Sequence, residues 1–379
     1  MKKILHVVNV YFVIPYFLGD QLLYFKNKGY EEHIICSPSD EIKRYAIDKE
    51  FYYLEMPVTR SVTILKDIKA IKKTIKYIKS NNIDIVVGHT PKGALIGMIA
   101  GYLAKVPQRI YFRHGLVYET SIGVKKNILM FLDKISAKLA TKVVCVSPSV
   151  YKRSLEDNLN SKRKQLVLHK GTCNGINVNR FNRSNIDEDV INALKKRYNL
   201  SNEYIIGYVG RLVLDKGIVE LVNAFLDFNK KHKDSKLLLV GMLEKRDALP
   251  KETVNIITSH PDIINTGYID NSEIESYYAL MNIFVLPSYR EGFPTSVLEA
   301  SSMGLPVITT KATGCIDSIV NGKTGLFMEF SSKSLYDLLV KLYENRTLGT
   351  QLGKRGRLFV VENFRQEIIW SEIEKLYKK

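Results

Sequence analysis

From end to end this chain alternates short runs of Val, Ile, Leu and aromatic residues with stretches of helical period, and few folds accommodate that alternation. In the first half the apolar runs fall at 4–10, 32–36, 52–56, 83–88, 109–113, 142–146 and 166–170. Helical patterns separate several of them, at 17–28, 63–80, 93–105 and 125–140. Runs without a polar alternate are buried on both faces, which predicts parallel strands covered by helices on each side. A polar stretch at 174–189 interrupts the series. It restarts with runs at 204–210, 236–240, 263–269, 283–286, 306–309 and 324–328 and helical patterns at 217–231, 273–280, 296–303 and 334–344. The chain has 379 residues, more than one hydrophobic core usually serves. Two doubly wound, Rossmann-like α/β domains joined near 174–200 are expected, at 1–180 and 200–360, with a last helical segment at 366–379.

Composition removes several functional classes. The four cysteines, Cys36, Cys145, Cys173 and Cys315, are scattered with no CxxC pair, which argues against a disulfide framework or a zinc site and fits a reducing compartment. The formal charge is +17, and residues 1–190 carry most of it, 31 Lys and Arg against 17 Asp and Glu. Such a surface suits phosphorylated ligands or anionic lipid. Nucleic acid is not expected as a partner, because no zinc or RNA-recognition motif accompanies the charge. Met1-Lys-Lys followed by residues 4–18 has the outline of a signal peptide, but His6, Asn9 and Pro15 break it and no Ala-x-Ala site follows. A buried first strand explains the same residues. No window reaches the roughly 18 apolar residues of a membrane span. The pattern at 65–79 sets Leu65, Ile68, Ile71, Ile75 and Ile78 on one face and lysines over much of the rest. Packing of that face against the core is the favoured reading, and contact of a basic helix with anionic lipid is the other.

Candidate chemistry lies where strands end and helices begin, the place where ligands bind in such sheets. Glu291-Gly-Phe-Pro-Thr-Ser-Val-Leu-Glu299 follows the strand at 283–286 and leads into a helix. Free N–H groups at a helix start hold phosphate. Gly292, Phe293 and Thr295 can supply them, whereas Pro294 has none to offer. Glu291 would face sugar hydroxyls, and Glu299 a ribose diol. Gly210-Arg211 ends another strand and Asp215-Lys-Gly217 opens the next helix. Arg211 and Lys216 together would neutralise a diphosphate, unless Arg211 simply pairs with Asp215. In the first half His114 ends the strand at 109–113, and His89-Thr-Pro-Lys-Gly93 joins a strand to a helix. His89, Lys92 and Arg113 are the acceptor-side candidates. Asp187-Glu-Asp189 matches a D-x-D metal pattern but precedes a helix in the polar stretch, where acids favour the helix dipole. No metal and no cofactor are expected.

On Gly210-Arg211, Asp215-Lys-Gly217, Glu291-Gly-Phe-Pro294 with Glu299, Thr324-Gly325 and His114-Gly115, the chain resembles the GT-B glycosyltransferases, specifically the family-four group of retaining enzymes. The resemblance spans essentially the full length. It implies two Rossmann-like domains facing a central cleft, with the acceptor site in the N-terminal domain and the donor site in the C-terminal one. It also implies a final helix, 364–379, packing back on the first domain. By that resemblance Arg211 and Lys216 hold the donor diphosphate, Glu291 the sugar and Glu299 the ribose, with His114 beside the transferred sugar. His89-Thr-Pro-Lys and Arg113-His-Gly-Leu look like capsule, O-antigen and lipid-linked glycan enzymes. These imply a nucleotide-sugar donor, a UDP-hexose or UDP-N-acetylhexosamine, a lipid-linked saccharide acceptor, and a cytoplasmic enzyme touching the inner membrane face. A nucleotide-sugar epimerase or hydrolase on the same scaffold is the alternative. The chain departs from many members in having no Gly-Gly turn after the first strand: residues 9–15 contain no glycine.

Overall fold

The computed structural model describes residues 1–58, 63–245 and 247–378. They form two compact units, residues 1–175 with 366–379, and residues 176–365. In the first, β1 (Lys3–Val7), β2 (Glu31–Cys36), β3 (Tyr52–Glu55), β4 (Ile85–His89), β5 (Gln108–Arg113), β6 (Lys142–Cys145) and β7 (Gln165–Val167) form a parallel sheet of order β3-β2-β1-β4-β5-β6-β7. The second holds β8 (Tyr204–Val209), β9 (Ser235–Val240), β10 (Ile263–Asn265), β11 (Ile283–Leu286), β12 (Val307–Thr310) and β13 (Leu326–Met328), in the order β10-β9-β8-β11-β12-β13. In each sheet the strand order reverses once, between β1 and β4 and between β8 and β11. Such a reversal opens a crevice at the carboxyl ends of the strands.

All the expected strands are present, most of them shifted by a residue or two. Val7 and Val86 pack on one face of the first sheet and Val8 and Ile34 on the other, so both faces are buried as the unbroken apolar runs require. The helical pattern at 17–28 resolves into two helices, Val13–Phe17 and Gln21–Asn27, broken around Gly19 at φ +49°. The polar stretch ends at a helix, Glu188–Arg197, and Asp187 caps it by accepting from the Asp189 N–H at 2.9 Å. In the helix Ile64–Asn81 the apolar stripe is only half used. Ile71, Ile75 and Ile78 reach the core, but Leu65 and Ile68 are exposed, which corrects the expectation of a fully packed face. The helix Gln366–Lys378 belongs to the first unit. Its Tyr377 ring lies 5.1 Å from that of Phe25, Trp370 Nε1 donates to Asn174 Oδ1 at 2.8 Å, and Lys2 Nζ donates to the Tyr377 carbonyl at 2.6 Å.

Candidate functional site

In the second unit the predicted residues converge on the reversal between β8 and β11. β8 ends at Val209, and the chain turns through Gly210 to Arg211, whose side chain is half exposed and lies 3.2 Å from Glu244 Oε2. The expected alternative partner, Asp215, is taken by Arg290 instead, at 2.7 Å. A short turn at Leu214–Lys216 then hands over to the helix Ile218–Lys231 through Gly217, at φ +69°. A Cβ on Gly217 would sit 2.2 Å from the Pro287 carbonyl oxygen, so only glycine lets this turn lie against the end of β11. That contact aims Lys216 across the strand ends. Its Nζ is 2.5 Å from Glu291 Oε1 and 3.3 Å from the Arg290 carbonyl, with both side chains largely buried.

Beyond Glu291, Gly292, Phe293 and Pro294 lead into the helix Thr295–Ser302. Pro294 at the N-cap offers no side-chain hydrogen bond to the first turn. Among the described residues the N–H groups of Gly292, Phe293 and Thr295 have no hydrogen-bond partner. The loop after β12 holds this turn in place: the Glu291 N–H donates to the Thr313 carbonyl at 3.0 Å. Gly314, at φ +81°, packs so closely that a Cβ would lie 2.5 Å from the Gly292 carbonyl oxygen. On the helix, Glu299 Oε2 accepts from Tyr278 Oη at 2.8 Å. Burial pushes the Glu299 carboxyl up, while Tyr278 and Arg180 pull it down. The edge therefore presents a guanidinium, an ammonium, free amides and two carboxylates, the donor set for a diphosphate flanked by hydroxyl-bearing groups. Arg290, Tyr278 and Gly314 were not singled out in the sequence. Only Arg290, adjoining Glu291 in the same loop, carried a local signal.

In the first unit, His114 follows β5 and is partly exposed. The ring of Phe17 stacks on it at 4.4 Å, so a short helix after β1 occupies the region where the missing glycine turn was looked for. Desolvation lowers the His114 imidazole to about 3. The acceptor-side candidates fare differently. Arg113 is fully buried, ion-paired to Asp133 at 2.5 Å and hydrogen-bonded to Gln165 at 3.2 Å. It ties β5 to the helix Gly123–Leu139 and has no surface to offer a ligand. His89 is likewise buried, between His6 and His114. Lys92 is largely buried and paired with Asp67. Strand-end position alone pointed to these three as ligand contacts. Burial, which depends on neighbours distant in sequence, turns Arg113 and His89 inward.

Among the described residues, no three His, Cys, Asp or Glu side chains group as a metal site, and no helix is long and apolar enough to cross a membrane. Residues 3–147 match the model described as "Glycosyl transferase 4-like" and residues 190–359 the one described as "Glycosyl transferases group 1". The capsular polysaccharide biosynthesis glycosyltransferase CapM of Staphylococcus aureus is 35% identical over 99% of this chain and 97% of its own. The UDP-Gal:alpha-D-GlcNAc-diphosphoundecaprenol alpha-1,3-galactosyltransferase of Escherichia coli is 25% identical over 93% of this chain and 89% of its own. Among solved structures, Anabaena HepE in complex with UDP and glucose superposes with a TM-score of 0.84 at 16% identity, covering all of both chains. With a shared GT-B fold and kinship running from β1 to the last helix, this chain belongs to the group 1 glycosyltransferases.

Proposed function

We propose that this glycosyltransferase moves a hexosyl or N-acetylhexosaminyl group from a UDP-sugar to a polyprenyl-diphosphate-linked saccharide, with retention of anomeric configuration, in capsule or related surface-glycan assembly. The observation that carries the reading is the edge of the second sheet, where the Lys216–Glu291 pair lies beside the unpartnered N–H groups of Gly292 and Phe293. The name of the staphylococcal relative supports a capsule pathway, and that of the Escherichia coli relative supports a UDP-sugar donor and a polyprenyl-diphosphate acceptor.

In this mechanism Arg211, Lys216 and the amides of Gly292, Phe293 and Thr295 stabilise charge on the departing diphosphate, as fixed donors do wherever negative charge develops. Gly210 and Pro294 shape the turns that bring those groups to the donor. The acceptor oxygen bonds to the anomeric carbon on the face the diphosphate leaves, the bond from that carbon to phosphate oxygen breaks, and the acceptor proton passes to the leaving phosphate. Glu291 holds the sugar hydroxyls and Glu299 the ribose diol. His114 meets a sugar oxygen at the strand edge of the first unit, which takes the acceptor. The reaction uses no metal. Contact with an anionic inner membrane face would run through Leu65 and Ile68 and through Ile122, Val124 and Phe131, all exposed, with Lys66, Lys69, Lys125 and Lys126 beside them in sequence.

The test is a panel of UDP-sugars offered with and without polyprenyl-diphosphate saccharides in the presence of a chelator, with products read by mass spectrometry. Product bearing one added sugar in the retained configuration is expected. Equal consumption of donor without any acceptor would replace the reading by an epimerase or hydrolase.

A further inference from the structure

Four buried or half-buried titratable side chains lie in a row across the first sheet. They are Glu32 on β2, His6 on β1, His89 at the end of β4 and His114 just beyond β5, and these are neighbouring strands. Glu32 Oε2 is 3.0 Å from His6 Nε2, close but outside hydrogen-bond geometry, and neither atom has another hydrogen-bond partner among the described residues. His6 Nδ1 is 3.1 Å from His89 Nε2, and His89 Nδ1 is 3.0 Å from His114 Nε2. Glu32, His6 and His89 are at most 2% exposed, while His114 Nδ1 has no hydrogen-bond partner among the described residues. The backbone after His89 is held in an unusual form. Thr90, a β-branched residue, sits at φ +61° and caps the helix Pro91–Leu103 by accepting from the Gly93 N–H at 3.3 Å. Conformations of that kind persist only where their surroundings enforce them.

We infer that Glu32, His6 and His89 are positioning residues that fix His114 as a neutral imidazole with its hydrogen on Nδ1, so that it meets the ligand as a hydrogen-bond donor. This rests on the proposed placement of His114 against a sugar oxygen. A neutral imidazole donates from one nitrogen and accepts at the other, so one hydrogen at the end of the row orders all the rest. When Glu32 carries a proton it donates to His6 Nε2, His6 Nδ1 to His89 Nε2 and His89 Nδ1 to His114 Nε2, leaving Nδ1–H outward. When Glu32 is ionised every bond reverses, and His114 Nδ1 shows a lone pair instead. The surroundings favour the first arrangement. The titratable groups acting with Glu32 are His6, Tyr30, Tyr45 from the helix Asp40–Lys49 and Tyr377 from the last helix, and no lysine or arginine is among them. A buried carboxylate without a cation is costly, and burial accordingly raises the Glu32 carboxyl and lowers His89 and His114.

The test reads tautomers directly by long-range proton–nitrogen NMR on the full chain with labelled histidine at neutral pH. His6, His89 and His114, assigned by single substitution, are expected to carry hydrogen on Nδ1, and hydrogen on Nε2 of His114 would overturn the inference. In parallel, Glu32→Leu removes the donor at the head of the row, two histidines away from His114, and a clear fall in turnover is expected. Glu32→Gln restores most of it, because its amide N–H donates to His6 as the protonated acid does. A glutamine variant as impaired as the leucine one, with the same melting temperature, would also overturn it. Failure of the proposed function is seen separately, as a wild-type chain that turns over no UDP-sugar whatever the tautomer of His114.

Discussion

Replacing Lys216 by methionine preserves the length of the side chain and removes one positive charge from the edge of the second sheet. Two consequences can be sized from the contacts. The first is structural: Glu291, 17% exposed, loses the ammonium 2.5 Å from Oε1. Breaking a fully buried pair costs about 3–5 kcal/mol, and partial hydration of this one brings the expectation to about 1–2 kcal/mol. In a unit of this size each kcal/mol lowers the melting temperature by about 2–4 °C. The second is catalytic. Loss of one fixed donor to a developing oxyanion costs about 10²–10³ in kcat, roughly 3–4 kcal/mol, which exceeds the loss of stability. The assay is UDP release at saturating donor and acceptor, with UDP affinity by calorimetry and the melting curve on the same preparation. A folded Lys216→Met variant within threefold of the wild type would refute the assignment of Lys216 to the diphosphate. Glu291→Gln serves as the control: it weakens the sugar-nucleotide KM while free UDP binds as well as before or better.

Gly217→Ala places a Cβ against the Pro287 carbonyl at positive φ, and the backbone term alone costs about 1–2 kcal/mol; urea unfolding should show that loss together with weaker UDP binding, and a neutral substitution would mean that the turn is not held against β11. Tyr278→Phe leaves Glu299 without its 2.8 Å partner, and the expected loss is about 1–3 kcal/mol of stability with weaker binding of UDP than of a ribose-free diphosphate. His114 titrates near 3 when folded against about 6.5 unfolded, so the unfolded chain binds the extra proton between those values and stability falls as pH drops through that window, by up to about 1.4 kcal/mol per unit for this group. Glu32 and Glu299, raised by burial, act the other way, costing stability as pH rises above about 4.5. Comparing the wild type with His114→Gln from pH 7 to pH 4.5 isolates the histidine share, and identical slopes would contradict its burial.

Which parts of this protein could be read in advance follows from how far each feature reaches along the chain. The strands were legible because an unbroken apolar run is local and has one economical use, burial on both faces of a parallel sheet. The motifs around Arg211, Lys216 and Glu291 were legible for a related reason: glycine at a strand-to-helix turn is required by local backbone geometry. Several helices were not singled out. Arg346–Asn363 contains Gly349, Gly353 and Gly356, residues of low helix propensity, yet all three are buried, with Gly353 against Gly304 and Gly356 against Ser301. Shape at the partner surface overrode propensity there.

The chain's own pattern thus determined two parallel sheets and the strand ends where chemistry would gather. Tertiary structure alone decided what each polar side chain at those ends does. Arg113 became a buried clamp on Asp133, Tyr278 the partner of Glu299, and His89 the middle of a row that begins at Glu32. Burial and hydrogen-bond partnership are set by residues 20 to more than 80 positions away, 20 for Arg113 with Asp133 and 83 for His6 with His89, and no local pattern encodes distances of that kind.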